Sequence, residues 1–260
     1  MLASVDYGEG PPILVLHGLF GSGRNWTSVA KRLGASHRVF TLDLRNHGAS
    51  PWAETMSYRD MAEDVRGFIQ AHDLGAVTLM WHSMGGKAAM VAALLHPEMI
   101  ERLVVVDIAP VHIPPTLLAY VRAMRSIDLT KVTRRSEVDA QLAPVIQDTA
   151  ERQFLLQNLV AAETGGLAWR LNLAAIESNF PDIIGFPAIG PEQVYAGPTL
   201  FVAGGRSNYV QPEHEAQILR LFPQARIVGI PNAGHWAHAE RPEEFLEVVK
   251  PFMEGNAVNS

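Results

Sequence analysis

The chain contains no cysteine. That excludes disulfides, thiolate metal sites and a cysteine nucleophile, and it fits a reducing compartment. Long hydrophobic runs are missing too: no uncharged apolar stretch reaches the roughly 20 residues needed to span a bilayer. The opening residues MLASVDYGEGPP show no basic segment followed by an apolar run, so no signal peptide is expected. Basic clusters are equally scarce. None is longer than Arg134-Arg135 and the net charge is −6, which argues against nucleic acid or an acidic membrane surface as a partner. The histidines show neither H-E-x-x-H nor paired-ligand spacing, so no metal is expected. Gly18, Gly21 and Gly23 complete neither a Walker sequence nor a dinucleotide fingerprint, so no cofactor is expected either. There is no internal repeat and no low-complexity segment. These absences leave a soluble, cytoplasmic globular protein as the expectation.

What is present is ample core material. Hydrophobic residues make up 48% and charged residues 18% of 260, enough for one large domain or a domain carrying an insertion. Short β-branched runs, ILVLHG (13–18), RVFTLDL (38–44), VTLMW (77–81) and RLVVVDIA (102–109), read as buried strands. Between them NWTSVAKRL, SYRDMAEDVRGFIQAH and SMGGKAAMVAALLHP carry apolar residues at helical spacing, with Ser57 as N-cap of the second and Pro97 ending the third. Strand–helix alternation of this kind implies an α/β protein with a mostly parallel sheet flanked by helices. From about residue 111 four helical patterns follow with no strand between them. The alternation resumes at PTLFVAGG (198–205), then a helix near 213–222, the strand ARIVGI (225–230) and a last helix at 242–254. The expected organisation is a core of residues 1–110 and 191–260, with a helical cap at 111–190 inserted after the sixth core strand.

Ligands of an open parallel sheet bind outside the carboxyl ends of its strands. Three chemically complementary residues fall there, in the order Ser83, Asp107, His235. A serine hydroxyl is a weak nucleophile until an imidazole takes its proton. The imidazole in turn needs a carboxylate to fix its tautomer, and the developing oxyanion needs backbone N–H donors placed in advance. Met84 follows the serine at a helix N-terminus, and the second donor is expected in the loop after the first strand, at Leu19 or, as the alternative, Phe20. His238, three residues after His235, reads as a helix-start or surface residue. His17 and His82 read as groups that hydrogen-bond backbone near the turn, and Arg45, Asn46 and His47 as an organising loop.

The stretches HGLFGSGRNW, DLRNHGASP, HSMGGKAAM, VVDIAPV, GPTLFVAGGRSNYV and PNAGHWAHAERPEEF resemble the small α/β-hydrolase-fold serine esterases of bacteria and their mitochondrial relatives. The resemblance spans nearly the whole chain. It implies carboxyl-ester hydrolysis without a cofactor beneath a small helical cap. The expected partner is a small-molecule ester, and the expected state a monomer or small homo-oligomer. It also bears on the acid. Many α/β hydrolases carry it in a G-x-x-D pattern after the strand PTLFVAGG, but this chain reads Gly204-Gly205-Arg206-Ser207-Asn208. The esterases it resembles use the aspartate of VVDIAP, which is Asp107 here. Tyr120, Met124, Trp169 and Tyr209 are candidates for lining an acyl pocket under the cap.

One residue departs from the family pattern. The nucleophile turn G-x-S-x-G has Trp81 in place of its first glycine. Trp81 is therefore also a candidate substrate contact, although strand alternation aims it to the side of Leu79 and away from its neighbours Met80 and His82. Overpacking there would cost roughly 1–3 kcal/mol, and Trp81→Gly is expected to keep the fold and change ester turnover. The alternatives to hydrolysis are acyl transfer or perhydrolysis on the same scaffold, or a catalytically weak ligand-binding homologue on account of Trp81.

Overall fold

The computed structural model describes residues 1–163, 165–190 and 192–255. The strands are β1 (Ser4–Tyr7), β2 (Pro12–Leu16), β3 (Arg38–Leu42), β4 (Val77–His82), β5 (Ile100–Val106), β6 (Leu159–Ala161), β7 (Leu167–Trp169), β8 (Thr199–Gly204) and β9 (Ala225–Ile230). The helices of the core are α1 (Thr27–Leu33), α2 (Tyr58–Ala71) and α3 (Met84–Leu95), then α9 (Glu215–Leu221), α10 (Ala237–Glu240) and α11 (Pro242–Met253). Between β5 and β8 lie α4 (Leu118–Ser126), α5 (Arg135–Leu142), α6 (Thr149–Leu156), α7 (Leu173–Ser178) and α8 (Phe180–Ile184).

Seven strands form one sheet in the order β1-β3-β2-β4-β5-β8-β9, parallel throughout except for β1. Alternation sorts the side chains onto two faces. Leu14, Leu16, Leu79, Trp81, Leu103 and Val105 pack under α2 and α3. Ile13, Val15, Met80, Val104 and Val106 pack against α1 and α11. Helix α2 begins where expected. The Ser57 hydroxyl accepts the Asp60 N–H, and the Asp60 carboxylate accepts the Ser57 N–H, a reciprocal cap.

Three expectations need correction. Five strands precede the cap rather than six, because only the short β1 is added ahead of β2. That strand was not legible because SVDY is mostly exposed and carries no apolar run. The cap is also not purely helical. β6 and β7 pair as an antiparallel hairpin between α6 and α7, so the pattern LAWRLNLAAIESNF divides into a strand and two short helices. The expected boundary at 190/191 falls on Pro191, and the last five residues of the second core segment, 256–260, likewise lie outside the described residues.

The third correction concerns Trp81, which is fully buried. It stands between Leu16 of β2 and Val105 of β5 in the sheet register, and its indole N–H donates to the Leu14 carbonyl oxygen at 3.0 Å. It lines neither of the cavities that meet at Ser83. The side chain is a satisfied core residue rather than a substrate contact.

Core and cap are fastened at the end of α8. The Tyr58 hydroxyl donates to the Ile183 carbonyl (2.6 Å), and Lys87 Nζ donates to those of Ile184 (3.0 Å) and Gly185 (2.6 Å). These are orphan acceptors of a helix C-terminus, where positive charge and N–H donors are favoured. Lys87 is buried, and desolvation pulls its pKa down to about 7.

Because the indole fills core volume and holds a buried acceptor, Trp81→Gly is expected to lower the unfolding free energy by about 3–5 kcal/mol. Urea titrations of both proteins measure this, and a change under about 1 kcal/mol would show that the core closes over the gap.

Candidate active site

Strand ends build the site. Ser83 follows β4, Asp107 follows β5, and His235 lies in the loop after β9. His235 Nδ1 stands 2.7 Å from Asp107 Oδ2, and His235 Nε2 stands 3.0 Å from Ser83 Oγ. The structure thus brings the three expected residues into one line. The carboxylate requires that Nδ1 carry a proton, which leaves Nε2 as the acceptor for the serine hydroxyl.

Strain concentrates on this edge. Among the described residues, the non-glycine residues with positive φ are Phe20, Asn46, Asp73, Ser83, Asp107 and Asn232. All but Asp73 lie in loops that leave the carboxyl ends of sheet strands. Each such backbone costs of order 1–3 kcal/mol and persists only where its surroundings impose it. Ser83 has φ 54° and ψ −123°, a sharp turn from strand into helix. The turn sits so close to β2 that a Cβ on Gly85 would lie 2.5 Å from the His17 carbonyl oxygen, and one on Gly86 would lie 2.6 Å from an Ile108 methyl. Small residues are thus required on the helix side of Ser83, whereas Trp81 on the strand side faces the core.

Asp107 is fully buried. A buried carboxylate needs hydrogen bonds in place of water. It accepts the Gly204 N–H at 2.9 Å on Oδ1, and the Ser207 hydroxyl as well as His235 on Oδ2. Ser207 occupies the position where a G-x-x-D pattern would place an acid. The hydroxyl supports the aspartate on the neighbouring strand instead. This residue was missed by sequence reasoning, although the broken pattern GGRS was its signal. Tyr209 stacks on the His235 ring, with centroids 4.2 Å apart.

Three neutral histidines hold the loops. The His82 Nε2–H donates to the His235 carbonyl at 2.8 Å and fixes the His235 backbone, while burial pushes the His82 pKa well below the ordinary value. His17 accepts the Leu44 N–H (3.0 Å) and donates to the Gly18 carbonyl (2.8 Å). His47 accepts the Phe20 N–H (3.3 Å) and donates to the Arg45 carbonyl (3.0 Å). Burial lowers the pKa of His17 and takes that of His47 to about 3, so both stay free to accept. The bond to His47 occupies the Phe20 N–H. Of the two candidate donors after β2, this leaves the Leu19 N–H for a ligand, alongside that of Met84 at the first position of α3. His238 is buried rather than on the surface, stacked on Trp26 at 3.9 Å.

Two cavities meet at Ser83. The larger, about 170 Å³, is lined by His235, Trp236, Phe20, Tyr120 and Tyr209 among others. The smaller, about 20 Å³, is apolar and lined by Met84, Ile108, Ile113, Phe180 and Lys87. Leu19, Leu117 and Tyr209 belong to both. Of the expected pocket residues, Tyr120 and Tyr209 are therefore at the cleft, and Trp81, Met124 and Trp169 are not. Met124 is fully buried one turn beyond Tyr120, and the Trp169 indole N–H donates to its carbonyl at 3.2 Å. Both are cap packing. Among the described residues no group of acidic residues and histidines could hold a metal ion, and no helix is long and apolar enough to cross a membrane.

A family model described as the α/β hydrolase fold matches residues 11–242. The chain belongs to the α/β-hydrolase family. It is similar to the sn-1-specific diacylglycerol lipase ABHD11 of Mus musculus, 44% identical over 94% of this chain and 81% of that protein. It is also 35% identical to Esterase YbfF of Escherichia coli, over 93% of this chain and 92% of that one. A solved structure called a marine microorganism esterase superposes with a TM-score of 0.93 at 38% identity, covering 96% of this chain and 98% of the other. The chain is accordingly an enzyme of the serine hydrolase, carboxylic-ester class.

Acid should unfasten the histidine-held loops. The folded pKa values of His47 and His238, about 3, lie below the ordinary 6.5, and that of His82 is depressed as well. Between those limits the unfolded chain binds more protons. Stability is thus complete above about pH 6.5 and falls as pH drops toward 3, by up to ~1.4 kcal/mol per pH unit per histidine. Urea midpoints at about pH 7 and about pH 5 should differ accordingly, and His238→Phe, which keeps the stack on Trp26, should show a smaller drop. An identical drop in the variant would mean that carboxylates alone set the acid limb.

Proposed function

We propose that the chain is a carboxylesterase that hydrolyses small to medium, fairly apolar esters through Ser83, His235 and Asp107. The observation that supports this reading is the continuous line from Ser83 Oγ through the His235 ring to the buried Asp107 carboxylate. Ser83 Oγ attacks the ester carbonyl carbon while His235 Nε2 takes its proton. The carbonyl oxygen becomes an oxyanion held by the N–H groups of Met84 and Leu19. Imidazolium at His235 is stabilised by Asp107, then protonates the departing alcohol oxygen, leaving an acyl-enzyme on Ser83. Water, deprotonated by the same ring, attacks the acyl carbon and frees Ser83. No cofactor takes part in this scheme.

The two cavities give the ester a direction. The departing oxygen must lie within hydrogen-bond reach of His235 Nε2. His235 lines the larger cavity and not the smaller one, so the alcohol half belongs in the former. The acyl half then extends past Met84 into the small apolar cavity, whose about 20 Å³ holds little more than one water-sized group and so favours short acyl chains. The rival reading of a catalytically weak ligand-binding protein rested on Trp81, and that side chain lies in the core away from Ser83.

A fluorophosphonate probe should label Ser83, with labelling lost in Ser83→Ala and ester turnover down by roughly a thousandfold or more. A folded wild-type protein that takes up no probe would overturn the reading. Across p-nitrophenyl esters of increasing acyl length, kcat/KM should peak at short chains, and Phe180→Ala should move the peak to longer ones. An unmoved peak would place the acyl half elsewhere. Product analysis with added alcohol or peroxide separates hydrolysis from acyl transfer to those acceptors.

A further inference from the structure

Beside the catalytic cleft lies a third cavity, of about 220 Å³, polar where the others are apolar. Three arginines line it, Arg24 from the core and Arg135 and Arg170 from the cap. In a chain of net charge −6 most arginines stand against carboxylates: Arg32, Arg38, Arg45, Arg66, Arg122 and Arg152 are examples. Arg24, Arg135 and Arg170 have no carboxylate within 4.0 Å among the described residues, and no acidic residue lines the cavity. Converging like charges repel unless an anion joins them.

Arg24 and Arg135 are exposed and Arg170 is half-buried, around a wall that hydrogen bonds hold in place. Arg135 is steadied by donating to the Leu159 carbonyl at 3.1 Å. The backbone N–H of Arg170 donates to the Asn158 carbonyl (2.8 Å), and the buried Asn158 side-chain amide donates to the Phe20 carbonyl (2.7 Å). The backbone that carries Arg170 is therefore tied through Asn158 to the loop that carries Leu19. Phe20 and Asn25 line both this cavity and the cleft at Ser83, so the two adjoin along these residues.

We propose that this basic cavity receives an anionic group, a phosphate or phosphonate, carried on the alcohol half of the ester substrate. The inference rests on the esterase reading and sharpens it: a short apolar acyl group on one side of Ser83, an anionic alcohol on the other. Guanidinium groups suit such a ligand because their planar forks match its oxygens, and charge-assisted bonds of this kind are about twice as strong as neutral ones. Since one arginine comes from the core and two from the cap, the bound anion would also draw the two parts together over the reacting carbonyl.

The test uses paired acetate esters of alkyl alcohols, one ending in a phosphonate and the other in its neutral dimethyl ester, with short, medium and long spacers. Wild-type enzyme should prefer the phosphonate member of one spacer length by roughly tenfold or more in kcat/KM. That ratio should fall toward one in Arg24→Gln, Arg135→Gln and Arg170→Gln and stay at the wild-type value in Arg226→Ala, an exposed arginine away from the cavity. Reading a ratio against the neutral ester removes any general loss of folding. A ratio near one at every spacer length overturns the proposal. So does arginine-dependent binding of inorganic phosphate without any ester preference, because the site would then hold a free anion and not the substrate. If neither ester is cleaved, the esterase reading fails instead.

Discussion

A carboxylate without a cation at the bottom of a protein is the constraint from which the rest of this site follows. Asp107 is fully buried, and among the described residues no lysine or arginine pairs with it. Its charge is held only by an amide, a hydroxyl and an imidazole. Each of these comes from a different place: Gly204 at the end of β8, Ser207 in the loop beyond, His235 after β9. Solvating one buried charge thus obliges three segments to converge, and the convergence places His235 Nε2 where Ser83 Oγ can reach it. Removing any donor leaves the carboxylate short of a partner in a poorly polarisable setting, where the penalty is larger than the bond's own net worth.

The opposite wall depends on neutrality. His17 and His47 work as acceptors for backbone N–H groups, a role a protonated ring cannot fill. Their burial keeps them uncharged, and the bond from the Phe20 amide to His47 leaves the preceding amide, Leu19, to face the cleft. The two halves of the site therefore use burial in contrasting ways. On one side it holds a charge in place by enclosing it in donors. On the other it suppresses charge so that rings can accept hydrogen bonds from the chain.

Much of this arrangement was legible in the residues. Parallel strands buried on both faces left short continuous apolar runs, and Ser83, Asp107 and His235 announced themselves by following those strands in a chemically sensible order. What escaped has physical reasons. SVDY gave no sign of β1 because an exposed antiparallel edge needs no apolar run. The β6–β7 hairpin was hidden because three-residue strands are too short for alternation to stand out from helical spacing. Met124 and Trp169 could not be told from cleft residues, since cap and cleft are apolar alike. Trp81 looked like damage to a motif because the motif describes a turn, whereas the side chain belongs to the sheet face beneath it. Ser207 was overlooked because the search at that position was for a carboxylate, and the need there was for a donor to one.

The clasp at the end of α8 carries a mechanical implication. Tyr58 and Lys87 grip three consecutive carbonyls of the cap, and Lys87 lies one turn after Ser83 on the very helix the nucleophile begins. At the other end of the cleft the buried Asn158 amide, just beyond α6, ties the cap to the Phe20 carbonyl of the core. The cap is thus pinned at both ends of the cleft rather than hinged at one.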